Sequence, residues 1–389
     1  MPAKVNGLYY ITHVDNLASI FEHGILSHEQ MEKQKIPYQP VYDRDIVDRR
    51  HNITAPNGKS LWDFANFYLN PRNPMMYRLS IAEGLVDRLV VLKLKATVFN
   101  TPNIYLSDGN AAHSQSNIYP FAKPLLNALG KQIDLEYWND ADGSKRKIMA
   151  ESLIPHSVSP SLIECVYVGK QNGIFDTAKQ IVVKSGYSVE VICEPNMFFI
   201  PPLQIYLAKN LSLAQGDLFF SKMQTLTISV NTKGVMGKGL ASRAKYQFPH
   251  VYVEYQDLCK QNKITTYMPA VVKTELSLAA DLSEKPLDIT AQFAPNYFLL
   301  FATKDHWRED SKISYITDGL SWLKENYKRE GLRSIALPAL GCGLGNLEWR
   351  DVGPIMCDVL KQFDIQTVVY LPTEKKVEQQ YLTKEYLLG

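Results

Sequence analysis

Two stretches of this chain, SVNTKGVMGKGLASRAK at 229–245 and SIALPALGCGLGNLEW at 334–349, share one layout: an apolar run, a glycine-rich turn, then a helical pattern. Glycine lets successive main-chain N–H groups converge on an anion with no Cβ in the way. A turn of this kind between strand and helix belongs to an alternating α/β domain, in which ligands lie beyond the carboxyl ends of the strands. The spacing excludes the two commonest phosphate cradles. Gly234 and Gly239 have the gap of a P-loop, but Leu240 and Ala241 follow where lysine and a hydroxyl are required. Gly234, Gly237 and Gly239 run G-x-x-G-x-G rather than the dinucleotide order, and no acidic residue follows at the distance that would hold a ribose. Two such loops facing each other suit a diphosphate better than a single phosphate.

The pattern around these loops predicts the second half in detail. LTISVN, NYFLLFATK, SIALPAL and QTVVYLP read as strands. KGLASRAKYQFPHVYVEYQDLCKQ, ISYITDGLSWLKENYKREG and RDVGPIMCDVLKQF read as helices between them. Pro201-Pro202 blocks helix and central strand alike, and a new strand-like run, LSLAQGDLFF, follows directly. The sequence therefore divides near residue 205, into domains 1–204 and 205–389. A chain of 389 residues has ample length for two cores. Its net charge of +2 is too small for a general polyanion binder, which leaves nucleic-acid contact to local patches such as YDRDIVDRRH and SKRK. Five cysteines, odd in number and without a C-x-x-C pair, argue against a disulfide framework and a zinc site, so a reducing cytoplasm and no metal are expected. No apolar stretch reaches membrane-spanning length, and no membrane partner is expected.

With GDLF at 216–219 added, the glycine segments resemble a macrodomain, in particular the DarG-type branch that removes ADP-ribose from DNA, over roughly residues 209–375. The resemblance implies an α/β/α three-layer fold with ADP-ribose as ligand. It implies that Asp217 and Leu218 contact adenine and that Asn231 contacts the distal ribose. The phosphates fall to Gly237, Lys238, Gly239 and Leu240 and to Gly341, Cys342, Gly343 and Leu344. In this branch a strand-end lysine attacks the anomeric carbon, and Lys304 in FATKDHWR is the matching position. Such a nucleophile must lose its proton, for which burial or a cationic neighbour such as Arg308 or Lys238 is needed. Some relatives carry aspartate where this chain has Gly345.

LYYITHVDNLASIFEHGILS, near the start, reads as a strand ending in His13, a helix with apolar Leu17, Ile20 and Phe21, Gly24 as its C-cap, and a second short strand. That order resembles the opening of NAD-consuming ADP-ribosyltransferases. IVDRRH (46–51), ANFYLNPRNPMMY (65–77) and SKRKIMAESLIP (144–155) then resemble DarT, the family that ADP-ribosylates thymine in single-stranded DNA, over about residues 7–199. YLSDGNAAHSQ (105–115) also fits, with no chemistry assigned to it. The resemblance implies an α+β transferase domain with NAD as substrate and single-stranded DNA as partner. Thr12, His13, Asn16, Tyr68 and Tyr77 are its candidate NAD contacts. Lys145, Arg146 and Lys147 are candidates for DNA phosphates.

Glu151 is the candidate catalytic carboxylate. Breaking the nicotinamide–ribose bond leaves an oxocarbenium-like sugar, which an adjacent carboxylate stabilises, and thymine N3 needs a general base to give up its proton. Arg49 or Arg50 would hold the pyrophosphate or the base, since a planar guanidinium makes the bidentate contact that lysine cannot. Tyr68, Tyr77 and Phe67 are either core or stacking surfaces. The expected whole is a writer of DNA ADP-ribosylation fused to its eraser, a toxin with its antitoxin, in which a tether keeps the eraser at roughly millimolar effective concentration. DarG-type proteins commonly carry a further inhibitory domain; here TEKKVEQQYLTKEYLLG follows, so direct inhibition would require an intramolecular contact by the macrodomain over the Glu151 cleft. The alternative is a transferase acting on RNA or protein, with a macrodomain that only binds ADP-ribose.

Overall fold

The computed structural model describes residue 5 and residues 7–42, 44–274, 278–284 and 296–389, with backbone alone at 44–46, 279 and 280. The chain forms two compact units, Met1–Ile200 with Asp281–Lys285 and Pro201–Ala280 with Pro286–Gly389. The break falls at the Pro201-Pro202 pair; the return of a short segment to the first unit has no signal in the sequence.

The first unit is built on an eight-stranded sheet. Its order is Glu190–Cys193, Ile163–Val168, Leu89–Leu94, Leu8–His13, Phe64–Tyr68, Glu151–Pro155, Tyr105–Ser107 and Ile118–Pro120. All neighbours pair antiparallel except the first two. The run LVVLKL at 89–94 does not alternate because it lies inside the sheet, with Leu89, Val90, Val91, Leu92 and Leu94 all at 0% exposure. The helix Leu17–His23 buries Leu17, Ile20 and Phe21 and ends at Gly24, whose φ of 90° is a conformation that favours glycine.

The second unit carries a seven-stranded sheet in the order Leu203–Tyr206, Leu211–Gln215, Gln366–Tyr370, Ser334–Pro338, Thr225–Asn231, Tyr297–Lys304 and Ala270–Lys273. The five inner strands are parallel and the two edges antiparallel. Period-2 alternation in Tyr297–Lys304 sends Leu299 and Phe301 into a cluster with Ile316, Leu320, Val352 and Met356 of two helices. Phe298, on the other face, meets Phe248, the rings 5.1 Å apart. Helices thus cover both faces. The predicted long helix after Asn231 is two, Gly239–Gln247 and Pro249–Lys260, because Pro249 lacks an N–H and forces Phe248 out of the helical region. Parallel strands share a direction, so Gln215, Asn231, Lys304, Pro338 and Tyr370 end at one edge, where both glycine turns begin.

Candidate functional site

In the first unit, Glu151 opens its strand with its side chain 1% exposed, in the wall of a cavity. Nη2 of Arg50 bridges both its carboxylate oxygens, at 2.8 and 2.9 Å, and the Ala111 main-chain N–H donates to Oε1 at 2.9 Å. Glu151 N–H donates to Ser107 Oγ, whose hydroxyl donates to Gly109 O. Burial opposes the charge on Arg50, but Glu151 outweighs it and raises the arginine pKa above its ordinary value. The guanidinium is therefore a permanent cation beside the carboxylate.

The strand Phe64–Tyr68 lies next to Glu151–Pro155, with Tyr68 in register with Glu151, and gives Phe67 and Tyr68 to the same cavity. Burial first, then the Glu151 and Glu284 carboxylates, push the Tyr68 phenol well above its ordinary pKa. It stays a neutral donor, and its O–H meets Met75 Sδ at 3.0 Å. Thr12 and Asn16 line the same cavity, where Asn16 Nδ2 donates to Thr12 Oγ1 at 3.0 Å and Asn16 Oδ1 accepts from Gln39 N at 2.7 Å, fixing the 38–42 loop.

Several expected residues stand elsewhere. Of the arginine pair, Arg50 faces Glu151, whereas Arg49 is exposed one position along the helix. His13 does not line the cavity; its Nδ1 accepts from Asp15 N and caps the turn that carries Asn16. Tyr77 is packed edge-on against Phe199 at 5.6 Å, 1% exposed, in the core. Two of the three expected DNA-phosphate ligands have acidic partners within the fold. Lys145 is 8% exposed and its Nζ pairs with Asp140 at 2.8 Å, and Arg146 donates to Asp108 Oδ1 at 2.8 Å and Ser116 Oγ at 3.0 Å. The half-buried Lys147 completes the short helix behind the Glu151 strand. Lys145 and Arg146 thus each meet a carboxylate, and Arg146 braces the 105–117 loop.

In the second unit, Lys238 is the N-cap and Gly239 the first residue of the Gly239–Gln247 helix, whose open N–H groups favour an anion. A Cβ on Gly239 would stand 3.0 Å from Leu344 Cδ1, so the two glycine turns face each other at close range. Lys304 Nζ donates to Leu344 O at 2.7 Å, which holds the amine at the second turn. Across the parallel pair, Asn231 is in register with Lys304. Asn231 folds the first turn, donating to Val235 O at 2.6 Å and accepting from Lys233 N at 2.9 Å. Asp217 caps the turn after Leu211–Gln215 and takes Arg243 Nη1 on its other oxygen at 2.5 Å. Leu218 and Cys342 are 3% and 1% exposed, so a ligand at this edge meets their main chain at most. Arg308 lies over the Trp307 ring at 4.4 Å. Gly237 lies in the first turn and Gly341 and Gly343 in the second, while Leu240 is in the first turn of the Gly239–Gln247 helix.

A family model described as ssDNA thymidine ADP-ribosyltransferase, DarT, matches residues 9–199, and a macro domain model matches residues 289–356. A Thermosipho africanus protein named a DNA ADP-ribosyl transferase–DNA ADP-ribosyl glycohydrolase fusion is 48% identical over 98% of this chain and 98% of its own length. The chain belongs to the DarTG family of fusion proteins. A solved structure of Thermosipho africanus DarTG in complex with ADP-ribose superposes with a TM-score of 0.91, at 47% identity over 99% of this chain and 100% of that one. The second half is also similar to a DNA ADP-ribosyl glycohydrolase of Mycobacterium tuberculosis, 33% identical over 42% of each chain.

Three contributors to the DarT-like cavity were missed by reading the sequence. The 105–115 segment, given no chemistry, supplies Ser107 and the Ala111 N–H to Glu151. His28 lines the cavity directly after the GILS run; burial first and then Arg50 lower its pKa to about 4, and its ring stacks on Trp62 at 4.5 Å. Glu284 also lines it and accepts from Arg78 Nε at 2.8 Å, both side chains 4% exposed. The first two had local cues in a loop that fits the DarT pattern and a histidine beside a matched motif. Glu284 had none.

Proposed function

We propose that Glu151, held by Arg50 and the Ala111 N–H, is the carboxylate at which ADP-ribose is transferred, and that Lys304, held between the two glycine turns, begins its removal. As a DarTG protein the chain is a single-stranded-DNA thymidine ADP-ribosyltransferase joined to a DNA ADP-ribosyl glycohydrolase, and it acts as a cytoplasmic toxin fused to its antitoxin. The observation that carries the reading is the buried Arg50–Glu151 pair in a cavity wall. With NAD bound, nicotinamide leaves the ribose anomeric carbon and the carboxylate stabilises the positive sugar; it takes the N3 proton of thymine as the new C–N bond forms. Thr12, Asn16 and Tyr68 hold NAD along the same wall. This half is a glycosyltransferase that uses NAD as substrate and needs no metal in its chemistry.

In the second unit ADP-ribose lies between the turns, its diphosphate on the Gly239 helix N-terminus and the Gly341–Leu344 main chain. The Lys304 amine, once unprotonated, attacks the anomeric carbon as the bond to thymine N3 breaks, and the proton shed by the alkylated amine passes to N3 of the departing base; water then replaces the lysine nitrogen at that carbon, releasing ADP-ribose and the free amine. Mass spectrometry of a thymidine-containing single strand incubated with NAD tests both assignments. Glu151→Gln is expected to lower adduct formation by about 10²–10⁴-fold, the usual worth of a general base. Lys304→Ala is expected to leave formation intact and let adduct accumulate above the wild-type level. Adduct made at the normal rate by Glu151→Gln, or wild-type decay of adduct in Lys304→Ala, would refute the corresponding assignment.

A further inference from the structure

The macrodomain carries a cavity of about 500 Å³ lined by none of the residues assigned above to ADP-ribose. Its floor is Thr232, Lys233 and Gly234, directly after Asn231, together with Asp305, directly after Lys304. One wall is the end of the Pro249–Lys260 helix, with Gln256, Cys259 and Lys260; the other is the turn from Asn262 to Tyr267. That turn is firmly built, with Lys263 N donating to Leu258 O at 2.9 Å and Thr265 N to Met268 O at 3.1 Å. In sheet order, the Gly341–Leu344 turn leaves the strand on one side of Thr225–Asn231 and Tyr297–Lys304, and the 262–267 turn leads toward the strand on the other. Lys304 therefore stands between the two sites, its amine directed to Leu344.

Attack by Lys304 breaks the bond from the ribose anomeric carbon to thymine N3, while ADP stays joined through the ribose C5 oxygen. Thr232 and Asp305, next in sequence to Asn231 and Lys304, put the cavity beside that carbon, in a place to receive the base. Thymine substituted at N3 has no N–H left and presents only its O2 and O4 acceptors. The cavity offers donors to them: the Gln256 and Asn262 amides and the Thr265 and Thr266 hydroxyls. At its rim Lys233 and Lys260 are 45% and 74% exposed, each 3.0 Å from an exposed carboxylate, Asp305 and Asp257. Exposed pairs of this kind are worth only about 0–1 kcal/mol, so either ammonium can turn to a phosphate at little cost. Tyr267, 61% exposed, adds an aromatic face beside them. Cations interleaved with an exposed ring are the elements of a single-strand nucleic-acid track.

Building on the glycohydrolase reading, we propose that this cavity is the subsite for the DNA strand, seating the modified thymine and guiding its neighbouring phosphates and base past Lys233, Lys260 and Tyr267. It makes the eraser selective for ADP-ribose attached to a strand over ADP-ribose on a lone nucleoside. The test compares release of ADP-ribose from a modified single-stranded oligonucleotide and from modified thymidine nucleoside, with NAD omitted so that the transferase is idle. For Lys233→Ala/Lys260→Ala, kcat/KM on the oligonucleotide is expected to fall about tenfold and to depend less steeply on salt, with the nucleoside rate unchanged. Lys233→Arg/Lys260→Arg should restore most of the loss, and Tyr267→Ala should lower the oligonucleotide rate alone. An equal loss on both substrates, or none on either, overturns the subsite. Binding is read separately by anisotropy in a Lys304→Ala background, as the preference for modified over unmodified strand. Lack of turnover by the wild type would refute hydrolysis by Lys304, while this preference, lost or kept in the double variant, still decides the subsite.

Discussion

At the scale of single residues, the transferase cavity sets charged groups against a half-buried neutral one. His28, in the same wall as Arg50, has its pKa lowered from 6.5 to about 4 by burial and by that arginine. Between those values the unfolded chain binds a proton that the native imidazole refuses. Stability is therefore complete above about pH 6.5 and declines as pH falls toward 4, by up to roughly 3 kcal/mol from this residue. A His28→Phe variant, which keeps a ring against Trp62, is expected to lose that part of the slope, measured as the difference in thermal unfolding between pH 7 and pH 4.5 for variant and wild type. Sequence alone made Glu151 legible because a motif surrounded it. It could not choose between Arg49 and Arg50, because adjacent residues on a helix point about 100° apart and the helix orientation is set by tertiary packing. A related limit explains Lys145 and Arg146: a basic run looks like a solvent-facing patch until the preceding turn folds Asp140 back on it and Asp108 is brought to it from a distant segment.

At the scale of elements, the second glycine turn shows what a close approach demands. A Cβ on Gly345 would overlap both Ser311 Oγ and the main-chain oxygen of Gly341. An aspartate at this position would require the turn to open. Gly345→Ala is expected to cost about 1–3 kcal/mol through overpacking and to weaken ADP-ribose binding, as isothermal titration of wild type and variant would show. Strand–turn–helix alternation made this half readable almost throughout, since a strict order of parallel strands puts every turn at one edge. The break at Phe248-Pro249 was one exception, and proline explains it; the two antiparallel edge strands, Leu203–Tyr206 and Ala270–Lys273, were others. In the first half the 105–117 loop was opaque because its work is done by the Ala111 main-chain N–H, which leaves no mark on residue type.

At the scale of the whole molecule, the two sheets divide the chemistry as their sequences divide the chain, with the Arg50–Glu151 pair in one unit and Lys304 with its facing turns in the other. The exception is Asp281–Lys285, counted with the first unit. There Leu282 O accepts from Trp138 Nε1 at 3.0 Å, and Glu284 accepts from Arg78. No composition shift or motif announces this excursion, since pairing across so long a separation depends on the folded path rather than on local pattern.

That excursion bears on how the protein can be taken apart. Severing the gene at the proline pair yields a leading fragment that lacks a piece of its own interior, and each missing contact costs about 1–3 kcal/mol. Fragment 1–200 is accordingly expected to melt below the corresponding transition of the intact chain, in a calorimetric comparison, and supplying a peptide spanning 278–284 should raise it again. A transferase that needs a clasp encoded inside its glycohydrolase half is poorly made without it, and a truncation that loses the eraser weakens the writer as well.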